Sequence, residues 1–171
     1  MKSRLSAALL VLVVTVLAIP NAVAQQTATT IAPVPAPILT AQKIFLANGG
    51  ADLISAEAFK KAGQIEEPYN STYTGLRAWG HWQLVPAPES ADLVLVVRFT
   101  APIDSYSNGL PLSSSPQIEL TIFDGKTHFP LWALTQPVNG AFRKNTWQKN
   151  YADGIAGLIG QLKSLTATAA P

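Results

Sequence analysis

The chain contains no cysteine, two histidines and one methionine in 171 residues. Without Cys there is no disulfide, no thiolate metal ligand and no thiol nucleophile. The Cys that carries the lipid of a bacterial lipoprotein is missing too, so no lipid anchor is expected. His81 and His128 sit on separate stretches, with no H-x-x-H or H-E-x-x-H spacing, so neither a metal nor a cofactor is expected. Charge is also sparse, at 13% of residues. The cations are scattered, with Lys60-Lys61 and Arg143-Lys144 as the only local pairs. Lys and Arg total 12 against 10 Asp and Glu, but Lys2 and Arg4 belong to the extreme N-terminus and the remainder balances. A protein that binds nucleic acid through its phosphates shows a basic face, which this composition does not supply.

Long apolar runs are absent everywhere but at the start. Lys2 and Arg4 form a short positive region, and residues 5–19 are apolar apart from Ser6 and Thr15. Pro20 and Asn21 break the run before Ala22-Val23-Ala24, the small-x-small pattern that signal peptidase requires. Residues 1–24 are therefore expected to be a secretory signal peptide cleaved after Ala24. The apolar run is shorter than the roughly 20 residues of a membrane span. Arg98 interrupts the next-best stretch, so the mature chain is expected to lack a stable span and to be periplasmic or extracellular.

What remains reads as one domain. Residues 25–41 are rich in Pro, Ala and Thr and lack periodicity, as a disordered tether would. Residues 42–166 carry the periodic segments, and residues 167–171 read as a frayed tail. A short strand at 42–47 ends on Asn48-Gly49-Gly50, and residues 52–62 offer a helical turn or two. Pro68 suits the first turn of a helix, with Tyr69, Tyr73 and Leu76 at helical spacing and Gly80 as its stop. Residues 82–85 form a brief strand. Residues 91–100 are almost continuously apolar, which predicts a central strand buried on both faces. Residues 101–116 read as a long loop. Ile118, Leu120 and Ile122 alternate with polar residues up to the turn signal Asp124-Gly125. The partner strand at 127–135 contains Pro130, which suits an edge. Finally, Trp147, Tyr151, Ile155, Leu158, Leu162 and Leu165 form a helical stripe, with Gly154, Gly157 and Gly160 expected to let the helix lie close to the strands. The order β-α-β-β-β-β-α predicts an α+β fold: a mostly antiparallel sheet of about five strands with two main helices on one face.

Several of these segments share a pattern. An apolar strand closes on Asn48-Gly49-Gly50, and Tyr69-Asn70 opens a helix ending in Leu76-Arg77-Ala78-Trp79-Gly80. Leu84-Val85, Ala91-Asp92-Leu93-Val94, Pro116 to Leu120, Asp124, Lys126-Thr127 and Leu131-Trp132 follow. Over roughly residues 43–165 this resembles an uncharacterised family of exported bacterial envelope proteins. More distantly, the layout is similar to small envelope assembly lipoproteins with a sheet covered by two helices. The resemblance implies an envelope-associated interaction role with another envelope protein as partner. It offers no catalytic residues.

The residues themselves give no catalytic constellation. There is no G-x-S-x-G or S-x-x-K, and no phosphate-binding glycine loop. Glu66 and Glu67 are adjacent, so on a helix they diverge by about 100°. Asp92 precedes a buried strand, where its carboxylate is expected to cap backbone N–H groups, and Asp124 reads as a turn residue. The aromatics are more suggestive. Trp79 and Trp147 fit the core, whereas Trp132 and Phe123 would be exposed together if both helices cover the other face. With Tyr106 in the long loop they make a candidate ligand or glycan surface. The expectation is thus a non-enzymatic interaction module, with a small-ligand or glycan binder and, behind it, a hydrolase as alternatives.

Overall fold

The computed structural model describes residues 32–52, 67–108, 110–141 and 143–167. The expected signal peptide with Ala24, residues 25–31 of the tether, the helical turns expected within 52–62 and residues 168–171 lie outside the described residues, Asp52 apart. Pro33–Pro171 forms one compact unit.

Among the described residues, seven strands and three α-helices follow one another as α1 (Ala36–Thr40), β1 (Lys43–Ala51), α2 (Glu67–Trp79), β2 (Gln83–Leu84), β3 (Leu93–Thr100), β4 (Ile103–Ser107), β5 (Leu110–Ser114), β6 (Gln117–Asp124), β7 (Pro130–Pro137) and α3 (Lys144–Ala167), with a 3-10 turn at Pro88–Ser90. Five strands form one sheet in the order β2-β1-β3-β6-β7. The α+β class, the five-stranded sheet and the two long helices on one face are as the sequence predicts. β3 is central and β7, with Pro130 at its start, is an edge. The sheet is mixed where the sequence predicts a mostly antiparallel one: two of its pairings are parallel and two antiparallel. β1 runs parallel to both β2 and β3, whereas β3–β6 and β6–β7 are antiparallel. α2 lies in the connection that makes β2 parallel to β1, and residues 85–92, with the 3-10 turn Pro88–Ser90, cross back to place β3 parallel on the other side of β1.

Alternation along the strands sets the core. Leu93, Leu95, Val97 and Phe99 of β3 and Ile118, Leu120 and Ile122 of β6 are fully buried, joined by Ile44 and Leu46 of β1. α3 covers them with Tyr151, Ile155, Leu158, Ile159, Leu162 and Leu165, and α2 with Pro68, Thr72 and Leu76. The opposite face of β3 is half-covered at Val94 and Val96 and exposed at Arg98, so the strand expected to be buried on both faces is buried on one. The buried stripe of α2 lies one position away from the expected Tyr69/Tyr73 line, and Tyr73 is exposed.

Two segments differ from the sequence reading. Within the stretch expected to be a tether, α1 buries Ile38 completely against the core. Within the expected loop at 101–116, β4 and β5 pair as an antiparallel hairpin with Tyr106 opposite Pro111. Asn108, at φ +52°, supplies the left-handed turn position that Asn tolerates better than most residues. Pro111 is accommodated because a two-stranded ribbon leaves each strand an unpaired side.

Candidate functional site

A concavity of about 620 Å3 lies between α2 and α3. Contacts advance together along both helices, from Glu67 beside Tyr151, through Gly75 against Ile159, to Trp79 beside Lys163. The helices are therefore parallel. Gly75 is what lets them approach: a Cβ there would lie 3.0 Å from Cγ1 of Ile159 and 3.3 Å from its Cδ1. The floor is Tyr151, Ile155 and Ile159, all buried, with half-buried Trp147 at one end. The upper walls are short side chains, Ser71 and Thr74 on α2 and Ala152 and Ala156 on α3.

The two ends differ in charge. Glu67 stands in the first turn of α2, above Tyr151. Burial pushes the Tyr151 hydroxyl well above the ordinary tyrosine range, and the Glu67 carboxylate adds to the shift, so Tyr151 stays neutral. At the other end the Lys163 ammonium lies 6.0 Å from the centroid of the Trp79 ring. Trp79 also stacks on His81 at 4.8 Å and meets Trp82 edge-on at 5.1 Å. The site is thus an apolar trough with an anion at one end and a cation at the other.

The carboxylates of Asp92, Asp124 and Glu119 are engaged in local hydrogen bonds. Asp92 Oδ2 accepts the N–H groups of Gln42 and Lys43, each at 2.9 Å, and these contacts hold its carboxyl below the usual range. Asp124 Oδ1 accepts the Thr127 N–H at 2.7 Å, the Thr127 hydroxyl at 3.0 Å and the Lys126 N–H at 3.0 Å, with the same consequence. These are the capping and turn roles expected of them. Glu119 accepts from Thr100 and from Gln117, both at 2.8 Å. No group of three possible metal ligands occurs among the described residues.

The aromatic trio does not converge. Trp132 pairs with Ile122, so it points to the helix-covered face and packs against the core half-buried. Phe123 pairs with Val94, on the opposite face of the sheet. An extra residue in β7, between the partners of Ile122 and Phe123, shifts the alternation that placed Trp132 outward. Tyr106 belongs to the separate β4–β5 sheet. The groove residues carried no comparable signal. Gly75, Ala152 and Ala156 are inconspicuous in a sequence, and Tyr151 and Ile155 read simply as core.

Fold and site together define an α+β domain with a mixed five-stranded sheet under two parallel helices that leave a groove between them. The fold has similarity to solved structures. The chain is similar to a DUF4136 family protein from Bacteroides thetaiotaomicron at 12% identity and a TM-score of 0.50, covering 78% of this chain and 93% of that one. It is also similar to the PelC dodecamer from Paraburkholderia phytofirmans (16% identity, TM-score 0.41, covering 76% and 91%). A third is a lipoprotein from Neisseria meningitidis (13% identity, TM-score 0.40, covering 71% and 96%). No family model and no curated protein matches the chain. The layout expected from the resemblance is met at the level of the fold. Among the described residues no helix is long and apolar enough to cross a membrane.

Proposed function

We propose that this chain is a non-enzymatic interaction domain of the bacterial cell envelope, exported by residues 1–24 and working through the groove between α2 and α3. The observation that carries the reading is the groove itself: an apolar floor left open between two helices that approach closely at Gly75. Apolar surface of this kind, rimmed by polar residues, marks contact with another molecule. Asp92 and Asp124 are held ionised by backbone donors and so are poorly suited to donate a proton at neutral pH. The sequence supports export through the order of its charged, apolar and small-residue segments.

A photo-crosslinking side chain at exposed Thr74, compared with one at exposed Glu89 outside the groove, tests the reading in intact cells. Thr74 should give one discrete adduct and Glu89 none. Equal labelling from both positions, or no adduct from Thr74, overturns it. N-terminal sequencing of the exported product should begin at Gln25, and an intact Met1 would remove the export assignment.

A further inference from the structure

We propose that the groove takes one amphipathic α-helix of a partner protein, about three turns long, running antiparallel to α2 and α3, with an acidic residue in its first turn and a Lys or Arg in its last. This rests on the reading of the groove as the working surface. Four features of the groove lead to it.

The walls decide the backbone of the occupant. Both are helices, whose N–H and C=O groups are bonded internally, so the groove offers no edge to which a strand could pair. An extended peptide laid over Tyr151, Ile155 and Ile159 would leave its own backbone groups unpaired on an apolar floor, which is costly. A helix brings its backbone already satisfied. The short wall residues Ser71, Thr74, Ala152 and Ala156 leave room for its side chains to descend.

Length follows from the charged ends. α2 spans Glu67–Trp79, and Lys163 lies over Trp79. At 1.5 Å per residue the two charges are about 18 Å apart along the groove, or about three helical turns.

Direction follows from charge. α2 and α3 run the same way, so both present positive dipole ends near Glu67 and negative ends near Lys163. A third helix packs favourably when its dipole opposes theirs, which puts its N-terminus beside Lys163. Its own dipole favours an acidic residue in that first turn and a basic residue in the last. Those are the charges that Lys163 and Glu67 attract. The wall dipoles and the charged side chains at the occupant's ends favour the antiparallel orientation; its own dipole ends meet Lys163 and Glu67 with like sign, a half-charge effect that a full opposite charge in its first and last turns outweighs.

The probes are two labelled, end-blocked Ala/Leu-rich helical peptides of about 16 residues, long enough to hold some helix alone. They have identical composition: one carries Glu in its first turn and Lys in its last, the other the reverse. Fluorescence anisotropy with the full mature chain at low salt should show saturable binding of the Glu-first peptide, with the Lys-first peptide about tenfold weaker. The double charge exchange Glu67→Lys with Lys163→Glu should remove or invert that preference. Ala156→Trp, at an exposed wall position, should abolish binding of both, with circular dichroism confirming the fold.

No binding of either peptide, equal binding of both, or a preference that survives the charge exchange overturns the helix proposal. If Thr74 still crosslinks a partner in cells under any of these results, the groove reading stands without it. If the mature chain self-associates and Ala156→Trp abolishes that association, a second copy is the occupant and the proposal falls.

Discussion

At the residue scale, the corner where β1, β3 and the β6–β7 turn meet depends on two small groups. Asp92 ties the start of β1 through two backbone N–H groups, and its own carbonyl accepts the Gly125 N–H at 2.9 Å. The chain passes so close that a Cβ on Gly125 would lie 2.2 Å from the Ala91 carbonyl oxygen and 2.9 Å from that of Asp92. Both obstructing atoms belong to the backbone and cannot rotate away. Gly125→Ala should therefore destabilise the fold by about 2 kcal/mol or more, read as a lower urea midpoint. Asp92→Ala should cost about 1 kcal/mol, discounted for the exposure of the carboxylate, and Asp92→Asn less, because an amide oxygen still accepts both N–H groups. Equal losses for Asn and Ala would show that the charge, which both variants remove, rather than the acceptor oxygen holds this corner.

At the scale of elements, α1 and α3 make opposite points about what a sequence reveals. α3 is legible because its stripe repeats at helical spacing from Trp147 to Leu165 of a 24-residue helix, and β6 because strict alternation runs into Asp124-Gly125. α1 has five residues among prolines, and nothing local announces that Ile38 is fully buried. Its fate is decided by the core it meets. Ile38→Ala should accordingly cost about 2–4 kcal/mol, a core-sized loss from a segment with the composition of a linker, and a loss below about 0.5 kcal/mol would return α1 to the tether. The glycines of α3 divide in the same way. Gly154 approaches Val138 and Gly157 approaches Gln136, so the expected close packing is met at both, but nothing lies within 4 Å of a Cβ at Gly160. Gly160→Ala should stabilise the helix by up to about 1 kcal/mol, seen as a raised Tm. The β4–β5 hairpin and the groove escaped a local reading for related reasons. Pro111 and the Ser-rich composition of 103–114 read as loop, and the meaning of Gly75 depends on Ile159, which lies far away in sequence.

For the whole molecule, the ionisable groups with displaced titration predict a stability plateau bounded at both ends. Asp92 and Asp124 have folded values below the usual carboxylate value of 3.8. Their contribution is present above that value and is lost as pH falls through the folded values, so the acid limb should begin near pH 4. Tyr151 behaves oppositely. Its neutral hydroxyl sits in the core with a folded value above the ordinary 10.0. Below pH 10 both folded and unfolded chains keep this proton. Above pH 10 the unfolded chain releases it while the folded chain holds it, so stability falls by about 1.4 kcal/mol per pH unit from this residue alone. Urea midpoints measured from pH 3 to pH 11 should be level in the middle and decline at both ends. Tyr151→Phe removes the titrating hydroxyl and retains the ring that packs against Phe99 at 6.0 Å. Its alkaline limb should be shallower by about that slope, while its acid limb, set by Asp92 and Asp124, stays in place. An alkaline limb unchanged in Tyr151→Phe would mean that the hydroxyl reaches solvent and that the groove floor is wetter than its burial implies. In that case Glu67 faces open water and not an apolar trough, and the end of the groove that selects a cationic partner would lose its basis.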